Sequence, residues 1–272
     1  YEEHVNCHIE LLKNLDHSFD LKAYEQGWFE GIELLRSFRI DNTEYLINEL
    51  ASKGKKILAE GAQGTMLDLD FGSYPFVTSS NTTSGGACTG LGISPRLTGE
   101  VFGIFKAYCT RVGSGPFPTE LSDSTGERLR ERGHEYGATT GRPRRCGWLD
   151  LPALKYAIMI NGVTRLFMTK SDVLSGFGTI KVCRSYIRGN KESMEVLADS
   201  NIETGLIYEE FDGWSEDISR IREFSQLPAS LRRYLLCEYV PAPYCLIRNV
   251  NKLEAGCLLS FKNGRVEHER YW

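Results

Sequence analysis

Several features that would place a protein at once are missing from this sequence. No apolar run approaches the roughly 20 residues that cross a bilayer, and no signal peptide opens the chain, so a soluble, cytoplasmic protein is expected. The cysteines, Cys7, Cys88, Cys109, Cys146, Cys183, Cys237, Cys245 and Cys257, form no Cys-x-x-Cys pair and sit mostly inside apolar runs. That pattern excludes a disulfide framework or zinc ribbon and reads as reduced thiols. A charge excess is missing too: the formal net charge is −4, which removes any general attraction to nucleic acid or anionic membrane and leaves basic residues to act locally. No internal repeat and no low-complexity linker occurs.

What remains is a chain of 272 residues, 41% hydrophobic, able to bury a substantial core as one large domain or two small ones. Residues 1–54 read as helices. Val5, Ile9, Leu12 and Leu15 recur at spacings of three and four, as do Trp28, Ile32, Leu35 and Phe38, and Leu46 and Leu50 follow a Thr43 placed to cap a third helix. His4 and His8 lie one helical turn apart and could share a metal, but with only Cys7 beside them an ordinary solvated helix is the alternative. From Lys55 the pattern changes to strands and loops. KKILAE (55–60), the apolar and aromatic run 101–113, RLFMTK (165–170) and TIKVCRSYI (179–187) read as buried strands, while Asp150 and Pro152 start a helix whose face is Leu151, Leu154, Ala157 and Ile158. Helices alternating with buried strands predict an α/β fold with a largely parallel central sheet, whose ligands gather at the carboxyl ends of strands.

The stretch Glu60–Thr83 organises the rest. It places glycines at 61, 64 and 72 and leads into an unbroken polar run of hydroxyls and Asn81 from Thr78 to Ser84. Such a loop brings backbone N–H groups close to a phosphate, a carboxylate or a base edge; a plain turn between two strands is the alternative. Three groups of residues carry chemistry. GATTGRPRR (137–145) sets Arg142, Arg144 and Arg145 behind two threonines; guanidinium forks suit carboxylate or phosphate, and the loop is expected to be exposed, a solvated basic turn being the bland reading. Lys170 and Asp172 follow a predicted strand, where a carboxylate can accept from guanine N1 and N2 and a lysine stem can lie along the base; a surface ion pair is the alternative. Gln63 and Thr78 could equally be loop-stabilising donors. Thr119 and Glu120, beside Pro116 and Pro118, read as architectural.

The wording of these stretches, EGAQGTMLDLDFGSYPFVTSSNTT (60–83), NTTSGGACTGLGISPR (81–96), FKAYCTRVGSGPFPTEL (105–121), GHEYGATTGRPRRCGWLD (133–150) and MTKSDVLSGF (168–177), resembles adenylosuccinate synthetases, in the family's order. The resemblance covers roughly residues 56–214, is weak before Lys56, and continues through REFSQLPASLRRY to Tyr234. It implies a P-loop-NTPase-like GTP-binding architecture and the GTP-dependent ligation of L-aspartate to IMP, with Mg2+ and a homodimer, in purine nucleotide synthesis. It further implies that Gln63, Thr78 and Arg142 hold IMP, that Ala138, Thr139, Thr140, Gly141, Arg142 and Arg144 form the aspartate site, and that Arg144, Lys170, Ser171 and Asp172 bind GTP; many members carry leucine where Ser171 stands.

Nothing in the chain matches the family's GDEGKGK-type phosphate loop, whose aspartate is the general base and helps bind magnesium, nor the histidine that follows it, nor the segment giving a partner-subunit arginine. Catalytic residues are therefore expected to be absent, and the chain to look like the portion after about the first third of the enzyme and to be inactive alone. The family's Gly-Pro-Asp-Arg loop is missing as well, leaving residues 235–272 as an atypical tail, frame-disrupted or divergent. The expected organisation is thus a helical segment at 1–54, a substrate-binding α/β region at 55–234 and that tail. A non-catalytic nucleotide- or anion-binding module derived from the enzyme is the alternative. A nucleic-acid binder using GRPRR is disfavoured by the acidic balance and the absence of a basic face interleaved with aromatics.

Overall fold

The computed structural model describes residues 1–15, 20–138, 140–196, 205–236, 257–262 and 265–270. They fall into two compact units, Tyr1–Lys55 and Lys56–Trp272.

The first unit is three helices, α1 (Glu2–Asn14), α2 (Leu21–Arg36) and α3 (Thr43–Ser52), as the apolar spacing predicts. Asp20 caps α2 by accepting Lys22 N–H at 3.1 Å. Thr43 is not the expected cap. It is the first residue inside α3, and Asn42 before it makes no side-chain cap bond. Asp41 fixes that turn instead, accepting Asn42 N–H at 2.9 Å while paired with Arg39. The apolar stripes are half-buried at Val5, Ile9, Leu12 and Ile32 and exposed at Trp28, Leu35 and Phe38.

In the second unit, KKILAE is not the expected strand. It has no regular structure and Leu58 is 83% exposed, because an extended segment becomes a strand only when another strand takes its backbone groups, and none among the described residues does. After α4 (Gly85–Leu91) come β1 (Phe102–Lys106), β2 (Cys109–Arg111), α5 (Ser124–Gly133), β3 (Arg145–Gly147), β4 (Leu149–Asp150), α6 (Leu151–Asn161), β5 (Arg165–Thr169), β6 (Thr179–Arg188), β7 (Lys191–Ser193), β8 (Gly205–Asp212), α7 (Ala229–Leu236) and a hairpin of β9 (Cys257–Lys262) and β10 (Arg265–Arg270).

The run 101–113 is only partly the buried sheet expected: Ala107 and Tyr108 are buried, but Phe102 and Ile104 are exposed, since β1 has a partner strand on one edge alone among the described residues. Parallel pairing joins β1 to β5 and β4 to β6, and antiparallel pairing adds β7 and β8 to β6 and joins β2 to β3. In the first pair Lys106 lies opposite Thr169, so both strands deliver their chain ends, Lys106 and Lys170, at one carboxyl edge. The helix start at Asp150 forms as expected: its carboxylate accepts Ala153 N–H at 3.0 Å and both oxygens receive Tyr186 Oη at 2.7 Å. Burial nevertheless pushes the Asp150 carboxyl up. The core gathers Leu129, Trp148, Leu174, Ile180, Val182 and Tyr234. Tyr234, where the family wording ends, is fully buried and its hydroxyl donates to the Ala107 carbonyl at 3.1 Å. No described helix is long and apolar enough to cross a membrane.

Candidate functional site

The stretch Glu60–Thr83 is not a turn between two strands. It is a long loop folded around the buried carboxylate of Asp68, whose Oδ1 accepts Asp70 and Phe71 N–H at 3.0 Å each and whose Oδ2 accepts Thr82 and Thr83 N–H at 2.6 and 3.1 Å. Burial alone would raise that carboxyl; the four amide donors outweigh it and hold it below the usual carboxylate range. Asn161, at the end of α6, ties the loop down by accepting Ser84 N–H at 2.8 Å and donating to Thr65 Oγ1 at 2.9 Å. Arg111 reaches across from β2 to Ser73 Oγ and the Phe76 carbonyl, each at 3.0 Å. Gln63 sits at the start of this loop with φ +71° and is exposed, a left-handed backbone that a glutamine adopts only when its surroundings impose it. Thr78 is half-buried, its N–H on the Leu67 carbonyl at 2.8 Å. Among the described residues, neither side chain makes a hydrogen bond within the fold.

The basic loop is built at the end of α5. Asp123 caps that helix and His134, left-handed at φ 50°, ends it. That reversal turns Glu135 inward beside Gly133, where any side-chain carbon would collide with the Tyr108 hydroxyl. Glu135 is 1% exposed. Its Oε1 accepts Lys106 Nζ at 2.7 Å and Tyr108 Oη at 2.6 Å, and its Oε2 accepts Lys106 Nζ and Arg144 Nη1 at 2.8 Å each. Burial pushes the Glu135 carboxyl up, but these donors prevail and hold it below its ordinary value, while burial and the neighbouring carboxylate push the Tyr108 phenol up. From this base a hairpin loop rises and returns: Gly137 N–H donates to the Arg142 carbonyl at 2.9 Å, Arg144 N–H to the Glu135 carbonyl at 2.9 Å, and Gly141 takes φ +64° at the bend. Ala138, Thr140 and Gly141 lie in this loop; Thr139 lies outside the described residues.

The arginines do not form the uniformly exposed set expected. Arg142 is exposed, with no side-chain partner among the described residues. Arg144 is paired to Glu135. Arg145 forks onto Glu120, holds the Gly113 and Gly115 carbonyls at 3.1 and 2.9 Å, and lies 5.5 Å from the Phe117 ring centroid. The two half-buried arginines thus brace the fold and Arg142 is presented. Nor do Lys170 and Asp172 pair with each other. Lys170, left-handed at φ 62°, donates to the Gly133 carbonyl at 2.8 Å, Ser171 and Asp172 open a 3-10 turn to Leu174, and the Asp172 side chain is exposed. Its charge reaches Tyr108. Arg144 and Lys170 therefore both reach the end of α5, at the carboxyl edge of β1 and β5. No hydrogen bond or ion pair among the described residues links Gln63 or Thr78 to Arg142.

Sequence reasoning missed Glu135, Lys106, Tyr108 and Asp68. Glu135 was within reach as the sole acid of GHEYGATTGRPRR; nothing local separates Asp68 from Asp70. Magnesium, which the family resemblance implies, finds no group of three His, Cys, Asp or Glu able to hold it among the described residues. Of the cysteines, Cys109, Cys146 and Cys183 are free thiols raised by burial to about 12, 11 and 12.

Fold and site define a mixed α/β protein of P-loop-like architecture with a braced arginine loop at a parallel-strand edge. The adenylosuccinate synthetase family model matches residues 1–242, and the chain belongs to that family. The match starts at residue 1 and passes Tyr234, so the likeness reaches further at both ends than the motifs indicated. Adenylosuccinate synthetases of Bacteroides fragilis and Cytophaga hutchinsonii are 55% identical over 228 residues and 52% over 237. These matches take in 84% and 86% of this chain but 54% and 55% of those proteins. The chain spans about half the length of the curated relatives it matches. A fully ligated adenylosuccinate synthetase structure from Plasmodium falciparum superposes with a TM-score of 0.75 at 41% identity, over 86% of this chain and 56% of that one.

Proposed function

We propose that this chain supplies the substrate-recognising part of a cytoplasmic, homodimeric enzyme that uses GTP and Mg2+ to join L-aspartate to IMP, giving adenylosuccinate. The observation that carries this reading is the Arg142 side chain, exposed and unpartnered among the described residues in a braced loop, in a chain of the synthetase family. Arg142 and Arg144 grip the aspartate carboxylates with Ala138, Thr139, Thr140 and Gly141 around them, and Arg142 also reaches IMP, which Gln63 and Thr78 hold from the other loop. Asp172 accepts the guanine N1 and N2 protons, a pattern adenine cannot offer. Lys170, its ammonium anchored on the Gly133 carbonyl, lays its stem along the base beside Ser171.

The test grafts the matched segment of this chain into the Bacteroides fragilis relative in place of its counterpart, and follows adenylosuccinate from GTP, IMP, aspartate and Mg2+. Turnover of the graft is expected. A folded graft that binds IMP and GTP yet makes no product would instead favour a non-catalytic binding module.

A further inference from the structure

We infer that Glu135 is a positioning residue for the reaction proposed above: it holds the Arg144 guanidinium at the base of the 137–142 loop, in the orientation from which that arginine meets its anionic ligand. The inference rests on the reading of Arg144 as a ligand contact. Three observations carry it.

Glu135 grips Arg144 twice, by its side-chain oxygen at 2.8 Å and by its backbone carbonyl at 2.9 Å, while Arg130 Nε holds the Arg144 carbonyl at 2.9 Å. The arginine can therefore pivot at neither end. Second, one carboxylate faces two cations. Glu135 is 1% exposed whereas the Lys106 and Arg144 side chains are 26% and 31% exposed, so the positive charge left over after pairing lies on the side that opens to solvent, as an anion's seat requires. Third, Arg144 commits Nη1 to Glu135, and no hydrogen bond among the described residues takes its Nη2. A guanidinium anchored through one terminal nitrogen keeps the other for a carboxylate or phosphate oxygen.

The measurement is a double-mutant cycle in the grafted enzyme, using Glu135→Gln, Arg144→Leu and both together, with KM for aspartate and for GTP read separately from kcat. Thermal unfolding of the 272-residue chain carrying the same substitutions gives the stability cost. The amide keeps the shape of Glu135 and removes its charge. Glu135→Gln is expected to raise KM for the ligand of Arg144 by about tenfold, with kcat within about twofold, and to add nothing once Arg144 is Leu. A merely structural Glu135 would cost the same factor in both backgrounds, whatever the change in unfolding temperature; that result, or an unchanged KM in a folded variant, overturns the inference. Should Glu135→Gln not fold, Lys106→Gln serves the same cycle, because it leaves Arg144 as the one cation on Glu135, beside the Tyr108 hydroxyl. Its KM shift must vanish in the Arg144→Leu background, and persistence overturns the inference equally. An unsubstituted graft without turnover would refute the functional reading beneath it, a separate outcome.

Discussion

Within four positions, Arg142, Arg144 and Arg145 meet three different environments, and substitution should separate them. The Arg142 side chain is exposed and bonded to nothing described, so Arg142→Leu should leave the unfolding temperature unchanged. In the grafted enzyme it should raise the aspartate requirement roughly ten- to a hundredfold, the range for losing one charge-assisted contact. Arg144→Leu should show a comparable kinetic loss and also cost stability, about 1–3 kcal/mol, because Glu135 is buried and loses one of its three side-chain donors. Paired kinetic and thermal measurements decide it. Equal stability of the two variants would contradict the Glu135 pairing, and unchanged kinetics in both would remove the loop from the aspartate site.

The Glu60–Thr83 loop depends on one side chain as an element. Four backbone amides converge on Asp68 and would be left without an acceptor if it were lost. Its folded carboxyl is held below the usual value, so the stability it contributes is present above the unfolded value of about 3.9 and is lost as pH falls through the lower folded one. Asp68→Asn should cost about 2–3 kcal/mol near neutral pH and flatten that acid limb. Hydrogen exchange at the amides of Asp70, Phe71, Thr82 and Thr83 is the local readout. Unchanged protection in the variant would show that Asn161 and Arg111 suffice to hold the loop. Lys106 and Lys170 depend on an element in another way: the parallel register of β1 and β5 brings them to one edge.

For the whole molecule, the chain covers 54% of the Bacteroides fragilis relative and contains no glycine-rich phosphate loop of the GDEGKGK kind. Phosphoryl transfer relies on such a backbone cradle, a lysine, a metal and an oriented base acting as a unit. The 272-residue chain assayed by itself with GTP, IMP, aspartate and Mg2+ should therefore form no adenylosuccinate above background. Turnover of about 1 per second or more would reveal catalytic groups within this chain.

Periodicity by itself determined the three N-terminal helices, the strands β5 and β6 and the start of α6 at Asp150, because those depend on spacing and on caps a few residues away. Family wording supplied the candidate residues Gln63, Thr78, Arg142, Arg144, Lys170 and Asp172, but not which of them the fold would leave free. Tertiary structure decided that. Arg145 is held by Glu120, 25 residues distant, and Glu135 by Lys106, 29 residues distant, so neither pairing leaves a local trace. The same holds for KKILAE, whose apolar run could become a strand only with a partner that lies elsewhere. It holds again for Asp68, chosen over Asp70 because the loop closes around one carboxylate and leaves the other outside. Burial and a distant donor, not residue type, fix whether a charge braces the fold or meets a ligand.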